Sequence, residues 1–131
     1  MIFVDTSFWI ALQYAADDRH SIAAGLWRGR PGPLLTSNDV MGETWTFLRR
    51  RTGFPAAMRF LASIEASGRV QPAHIDDATE EDAWAWLRRH DERAYSFVDA
   101  TSFALMRRLR IRQALAFDGD FTAAGFEELR P

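Results

Sequence analysis

Four acidic side chains of this 131-residue chain stand in apolar stretches, and each poses the same physical problem. Asp5 follows Ile2-Phe3-Val4, and Glu43 lies between Val40 and Phe47. Asp99 comes directly after Phe97-Val98, and Asp118 ends the run from Ala114 to Phe117. A carboxylate taken out of water without a partner is costly, so each needs a cation, strong hydrogen-bond donors or a proton. Taken singly, each has a structural role to hand. Asp5 can be a polar residue at a strand-to-helix turn, Glu43 a helix-surface acid and Asp118 a turn residue in Asp118-Gly119-Asp120. Asp99 stands at capping-box spacing from Ser96. Taken together, one divalent ion accounts for all four. With no Cys and no cluster of His, an all-oxygen ligand set points to Mg²⁺ or Mn²⁺ rather than zinc.

The elements that must bring these acids together follow from local pattern. Ile2–Val4 reads as a short strand buried on both faces, ended by Asp5, with Thr6 and Ser7 as caps for a helix from about Phe8 to Tyr14. After a polar break at Asp17–His20, Ser21–Trp27 reads as a second helix and Arg28–Pro33 as a loop. His20 reads as a surface residue. Leu34–Thr36 is a strand, and Ser37 the N-cap of a helix running to about Thr52 and stopped by Gly53. Pro55 opens another helix, which Gly68 ends, and Val70–Ile75 is a Pro-interrupted edge strand. A helix starts at Thr79, with Asp82 at capping-box spacing, and Ser96–Leu109 is the most apolar helix. Ala114–Phe117 is a strand, Asp118-Gly119-Asp120 a turn leading to a short helical turn capped by Asp120, and Phe126–Leu129 a last short strand. Strands alternating with helices predict a three-layer α/β/α domain over residues 1–131, with a central parallel sheet of four to five strands. In that order, strand ends and the helix starts after them face one edge of the sheet, where ligands bind in open α/β folds.

Composition narrows the class. A chain that is 47% hydrophobic and 13% aromatic can build a packed core. Without Cys there is no disulfide framework, and no apolar run is long enough to span a bilayer. No basic stretch precedes an apolar one at the start, so a secretory leader is not expected and the cytoplasm is. Net charge is −2, which does not announce a nucleic-acid binder, yet all 16 basic residues are Arg. Codon bias accounts for this simply, but Arg also suits bidentate phosphate contacts. Five Trp residues (Trp9, Trp27, Trp45, Trp84, Trp86) exceed the evident need of a core this size, which leaves some of them for an interface.

The acids and their neighbours resemble a known family. Val4-Asp5-Thr6-Ser7, Thr36-Ser37 with Glu43, Asp99-Ala100-Thr101-Ser102 and Phe117-Asp118-Gly119-Asp120-Phe121 occur in the order seen in PIN-domain ribonucleases. The likeness is strongest to the VapC-type toxins of bacterial toxin–antitoxin pairs, and covers nearly the whole chain. It implies a PIN-like fold, with Asp5, Glu43, Asp99 and Asp118 as an acidic quartet. Thr6 or Ser7 matches the hydroxyl position beside the first acid, and Asp120 a supporting place. It also implies metal-dependent hydrolysis of RNA, with Asp5, Asp99 and Asp118 as main ligands and Glu43 on a second ion or orienting water. The implied products carry 5′-phosphate and 3′-hydroxyl ends. The implied partners are an RNA substrate, a small cognate antitoxin and a second copy of the chain. Phe117 departs from the family, which often has Thr or another small residue there. Candidate phosphate contacts are Arg49, Arg50 and Arg51, and Arg107, Arg108, Arg110 and Arg112, although a solvated helix face is the simpler account of most of them. Three rivals remain. A housekeeping PIN nuclease shares the site, and a non-catalytic acidic binding module shares only the pocket. A response-regulator receiver needs a Lys near its last strand, and this chain has none.

Overall fold

The computed structural model describes residues 1–30 and 32–131; Pro31, inside the expected Arg28–Pro33 loop, lies outside them. Five parallel strands form one sheet: β1 (Ile2–Val4), β2 (Leu34–Ser37), β3 (Val70–Ala73), β4 (Gln113–Leu115) and β5 (Glu127–Glu128). Their spatial order is β3-β2-β1-β4-β5. The chain therefore steps outward from β1 to β3, then crosses back to place β4 on the other side of β1. The switch point lies between β1 and β4, where two successive connections leave in opposite directions and a crevice opens at the carboxyl ends. Phe3 and Val4 pair with Ala114 and Leu115 across it. Phe3, Val4, Leu34, Ala114 and Leu115 have almost no exposed surface, as a centrally placed parallel strand demands.

The helices are α1 (Thr6–Gln13), α2 (His20–Arg28), α3 (Asn38–Arg51), α4 (Phe54–Ala66), α5 (Asp77–Arg88), α6 (Phe97–Leu109) and α7 (Asp120–Ala123). Several boundaries differ from the sequence reading, for identifiable reasons. Asp5 itself is the N-cap of α1, accepting from the Ser7 backbone N–H at 3.1 Å, so the helix starts at Thr6 rather than Phe8. Asp76 caps α5 through the Thr79 N–H at 2.8 Å, which moves that start upstream to Asp77. Asp82 is left to pair with Arg108 at 2.6 Å instead of closing a capping box. Strand β4 ends at Leu115, so Asp118 is not the first residue beyond it but the third. Gly119, at φ +81°, holds the N-cap position of α7, and Asp120 is its first helical residue rather than its cap. A positive φ favours Gly at that position.

The expected caps at Ser37 and Ser96 are present. Ser37 accepts from the Val40 N–H at 3.1 Å, and Ser96 and Asp99 form a reciprocal capping box. Thr36 ties three elements together: its hydroxyl donates to the Val4 carbonyl at 3.0 Å and accepts from the Trp9 indole at 3.2 Å. Trp9, Phe60, Phe103 and Phe121 fill the layers on either side of the sheet. Of the five Trp residues, Trp9 and Trp86 are buried, Trp27 and Trp45 half-buried, and only Trp84 exposed. Among the described residues no helix is long and apolar enough to cross a membrane.

Candidate active site

Each acid reaches the carboxyl edge by a different route. Asp5 leaves the end of β1. Asp99 sits in the first turn of α6, and α6 runs back to feed β4, so its start faces the same edge. Asp118 arrives by the Ala116-Phe117 extension beyond β4. Asp99, Asp118 and Asp120 bring one carboxylate oxygen each to within 4.8 Å of one another. Asp5 and Glu43 have no oxygen in that set. Asp5 is nonetheless close enough for the charges of Asp118 and Asp99 to act on its carboxyl. Glu43 is exposed on α3, in a cleft it shares with Phe97 and Val98 of α6.

Local bonding explains how the acids are held. Asp5 accepts on one oxygen, Oδ2, from both the Ser7 N–H at 3.1 Å and the Ser7 hydroxyl at 2.7 Å. That same hydroxyl accepts from the Phe117 N–H at 3.0 Å, linking the first acid to the segment that carries the last. The family departure at Phe117 therefore leaves this bond intact, because the backbone makes it. The Phe117 ring fills space instead, stacking on Phe8 at 5.7 Å with the Arg19 and Arg130 guanidinium groups over it. Thr6, the other expected hydroxyl, is buried and has no hydrogen-bond partner among the described residues. Asp118 Oδ1 accepts from the Asp120 N–H at 3.1 Å, an Asx turn across Gly119.

Electrostatics mark the cluster as strained without a cation. Burial pushes the Asp5 carboxyl up to about 7; the charge of Asp118 adds to this, Ser7 opposes it, and Asp99 adds a little more. Burial likewise raises Asp99 to about 6, helped by Asp118 and Asp120 and opposed by the Ser96 bonds. Asp118, though exposed as a residue, is raised by desolvation of its carboxyl and by the charges of Asp120 and Glu128, against its bond from the Asp120 N–H. Several carboxylates that resist ionising side by side, with oxygen-only donors, fit a hard divalent cation.

Two supporting groups escaped the sequence reading. Arg93, in the loop before α6, donates to Asp120 at 2.6 Å and to the Asp118 carbonyl at 3.1 Å. Nothing in the local sequence announced it. Glu128 is buried on β5 and accepts from the Gly119 N–H at 3.2 Å, the Thr122 N–H at 2.9 Å and Arg130 at 3.0 Å. It braces the turn that carries Asp118. Alternation along Phe126-Glu127-Glu128-Leu129 puts Glu128 on the same face as Phe126, a signal of the kind that singled out the other acids. Burial opposes its charge, but the bonds from Thr122, Arg130 and Gly119 outweigh that and hold the carboxyl below the usual 4.5. A lowered carboxylate stabilises above its unfolded value and loses that contribution as pH falls. Glu128→Gln should therefore lower stability by about 1–3 kcal/mol at pH 7 in urea titration, with the difference from wild type shrinking below pH 4.5.

A parallel α/β sheet with clustered acids at its switch point defines a class, and comparison agrees with it. The chain belongs to the PIN-domain family, whose profile matches residues 2–127. It is 59% identical to the 23S rRNA-specific endonuclease VapC20 of Mycobacterium tuberculosis, over 100% of this chain and 99% of the relative, in strains CDC 1551 / Oshkosh and ATCC 25618 / H37Rv alike. A crystal structure of Mycobacterium tuberculosis VapC20, described as a sarcin–ricin loop cleaving toxin, covers 100% of both chains with a TM-score of 0.95 and 58% identity. The Neisseria gonorrhoeae FitAcB structure covers 100% of this chain and 98% of that one, with a TM-score of 0.66 and 15% identity, and shares the fold alone.

Proposed function

We propose that this chain is a Mg²⁺- or Mn²⁺-dependent endoribonuclease acting as the toxin of a toxin–antitoxin pair, and that its target is the sarcin–ricin loop of 23S rRNA. The observation that carries the chemistry is the set of Asp99, Asp118 and Asp120 oxygens within 4.8 Å of one another, with buried Asp5 behind them. The target is carried by the full-length likeness to the VapC20 relatives.

Asp5, Asp99 and Asp118 would hold the ion, Asp120 stands within reach of it, and Glu43 lines the approach. A bound divalent ion would supply positive charge for the phosphate oxygens and a more acidic water. The protein's part is positioning. Ser7 fixes the Asp5 carboxylate, the capping box fixes Asp99, and Glu128 with Arg93 fixes the Asp118–Asp120 turn. In the reaction, water attacks phosphorus in line, the bond to O3′ breaks, and 5′-phosphate and 3′-hydroxyl ends result.

A homodimer and a small antitoxin that covers the acids complete the proposal. Exposed Phe54 and Met58 on α4, beside half-buried Trp45, offer apolar surface for a partner. The test is incubation of the full chain with ribosomes in Mn²⁺, with RNA ends mapped by primer extension. Expected is one cut in 23S rRNA, lost with chelator and in Asp5→Asn. Cleavage that persists with chelator overturns the metal dependence, and cuts elsewhere overturn the target.

A further inference from the structure

We propose that the cleft between α3 and the start of α6 is the path of the RNA strand next to the acids, with Arg50 and Arg51 as its phosphate contacts and Gly42 as the residue that keeps it open. The proposal rests on the nuclease reading above and names the substrate surface for it. Asp39, Gly42, Glu43, Thr46 and Arg50 recur at three- and four-residue spacing, which puts them on one stripe of α3. That stripe lines a cleft of about 770 Å³ whose other wall is Phe97 and Val98, immediately before Asp99. The lining of the cleft thus ends one residue before Asp99, although no acid of the cluster itself lines it.

Its charge changes along its length. Asp39 and Glu43 lie at the end nearer the start of α3, and Arg50 and Arg51 at the other. From Glu43 to Arg50 the helix rises about 10 Å, a span of about three stacked nucleotides. A strand with one phosphate beside Glu43 would therefore bring a later phosphate to the guanidinium groups. Among the described residues neither Arg50 nor Arg51 is in an ion pair. Arg51 lies over the Phe47 ring at 5.2 Å, held toward the cleft that Phe47 also lines. The Phe97 ring, stacked on exposed Trp84 at 4.6 Å, gives the wall an aromatic surface suited to bases.

The other Arg candidates are placed differently. Arg108 pairs with Asp82, and Arg107 lies over Trp86 and Phe126. Arg110 and Arg112 stand where α6 hands over to the beginning of β4, at the sheet edge opposite the acids. Arg49 lies over Phe54, and no part of it lines the cleft.

Gly42 lines the same cleft. Gly is the poorest helix former after Pro, yet it stands inside the fourteen-residue α3. A Cβ there would meet nothing within 4 Å, as at Gly25 of α2, so a larger side chain would project into the cleft without clashing with the fold.

Binding of a short labelled single-stranded oligoribonucleotide, followed by fluorescence anisotropy in chelator across a salt series, tests this. Gly42→Leu should bind at least about tenfold more weakly while melting no lower than wild type, because Leu favours the helix and fills only the cleft. Arg50→Gln and Arg51→Gln should each weaken binding and flatten the logarithmic salt slope by about 0.7. Arg112→Gln should do neither. Equal binding and slope for wild type, Gly42→Leu and both cleft Arg variants overturns the proposal, as does no binding by wild type. Cleavage by wild type in Mn²⁺, run alongside, separates the two readings. Cutting with an indifferent cleft sinks the cleft alone, and cleft-dependent binding without cutting sinks the nuclease.

Discussion

Asp118→Asn is expected to abolish metal-dependent RNA cleavage, by at least about a hundredfold in kcat/KM, while leaving the fold intact. The asparagine oxygen can still accept from the Asp120 N–H, so the turn survives, and only ligand charge is lost. Asp120→Asn is expected to keep substantial activity, because its carboxylate is already engaged by Arg93 at 2.6 Å. Its stability cost should be small, about 0–1 kcal/mol, since the broken ion pair is solvent-accessible and Gly119 rather than Asp120 holds the cap position. Circular dichroism checks folding, and cleavage rates at saturating Mn²⁺ decide the matter. An inactive Asp120→Asn beside an active Asp118→Asn would reverse the assignment.

The second large effect is on stability. Asp5 at about 7 and Asp99 at about 6 lie above the ordinary 3.8, and Asp118 is also raised. Between about pH 4 and 7 the metal-free folded protein therefore binds more protons than the unfolded chain. Its stability must fall as pH rises through that window. Raising one independent carboxyl from 3.8 to about 7 is equivalent to about 4 kcal/mol. The acids share their protons, so about 2 kcal/mol is expected for Asp5. Metal-free wild type should melt several degrees lower at pH 8 than at pH 5. Asp5→Asn should flatten that dependence and be the more stable protein at pH 8. Mn²⁺ should stabilise the wild type at pH 8 by about 2.7 kcal/mol at a hundredfold excess over Kd, raising its Tm, and should raise that of Asp5→Asn much less. Scanning calorimetry with and without ion at both pH values measures all of this. Equal Mn²⁺ shifts in the two proteins would show that Asp5 takes no part in holding the ion.

The sheet was legible in the sequence because β1, β2 and β4 each carry a short apolar run, which at β1 and β2 gives way abruptly to polar residues. The caps at Ser37 and Ser96 were legible because capping is local. Asp5 and Asp76 were missed as caps because each competes with a hydroxyl residue close by in sequence, and only the backbone path decides between them. The end of β4 was placed two residues late, since Ala116 and Phe117 are apolar for packing rather than for pairing. The grouping of Asp99 with Asp118 followed from topology. Arg93 did not, because its contact with Asp120 crosses 27 residues and leaves no local pattern. The position of Glu43 on an exposed helix face matches the structural alternative that its spacing already allowed.

The bond from Phe117 to Ser7 spans 110 residues, and β1 sits at the centre of the sheet with β4 as one neighbour. β1 therefore waits for a strand that is made much later. Until β4 and the turn after it emerge, Asp5 has no carboxylates beside it and half of its strand's edge is unpaired. Closing so long a loop makes assembly of the acids a late event in folding. A nascent or truncated chain that stops short of Asp118 carries no cluster at all. Synthesis itself thus delays the assembly of the acids until the segment that carries Asp118 has emerged.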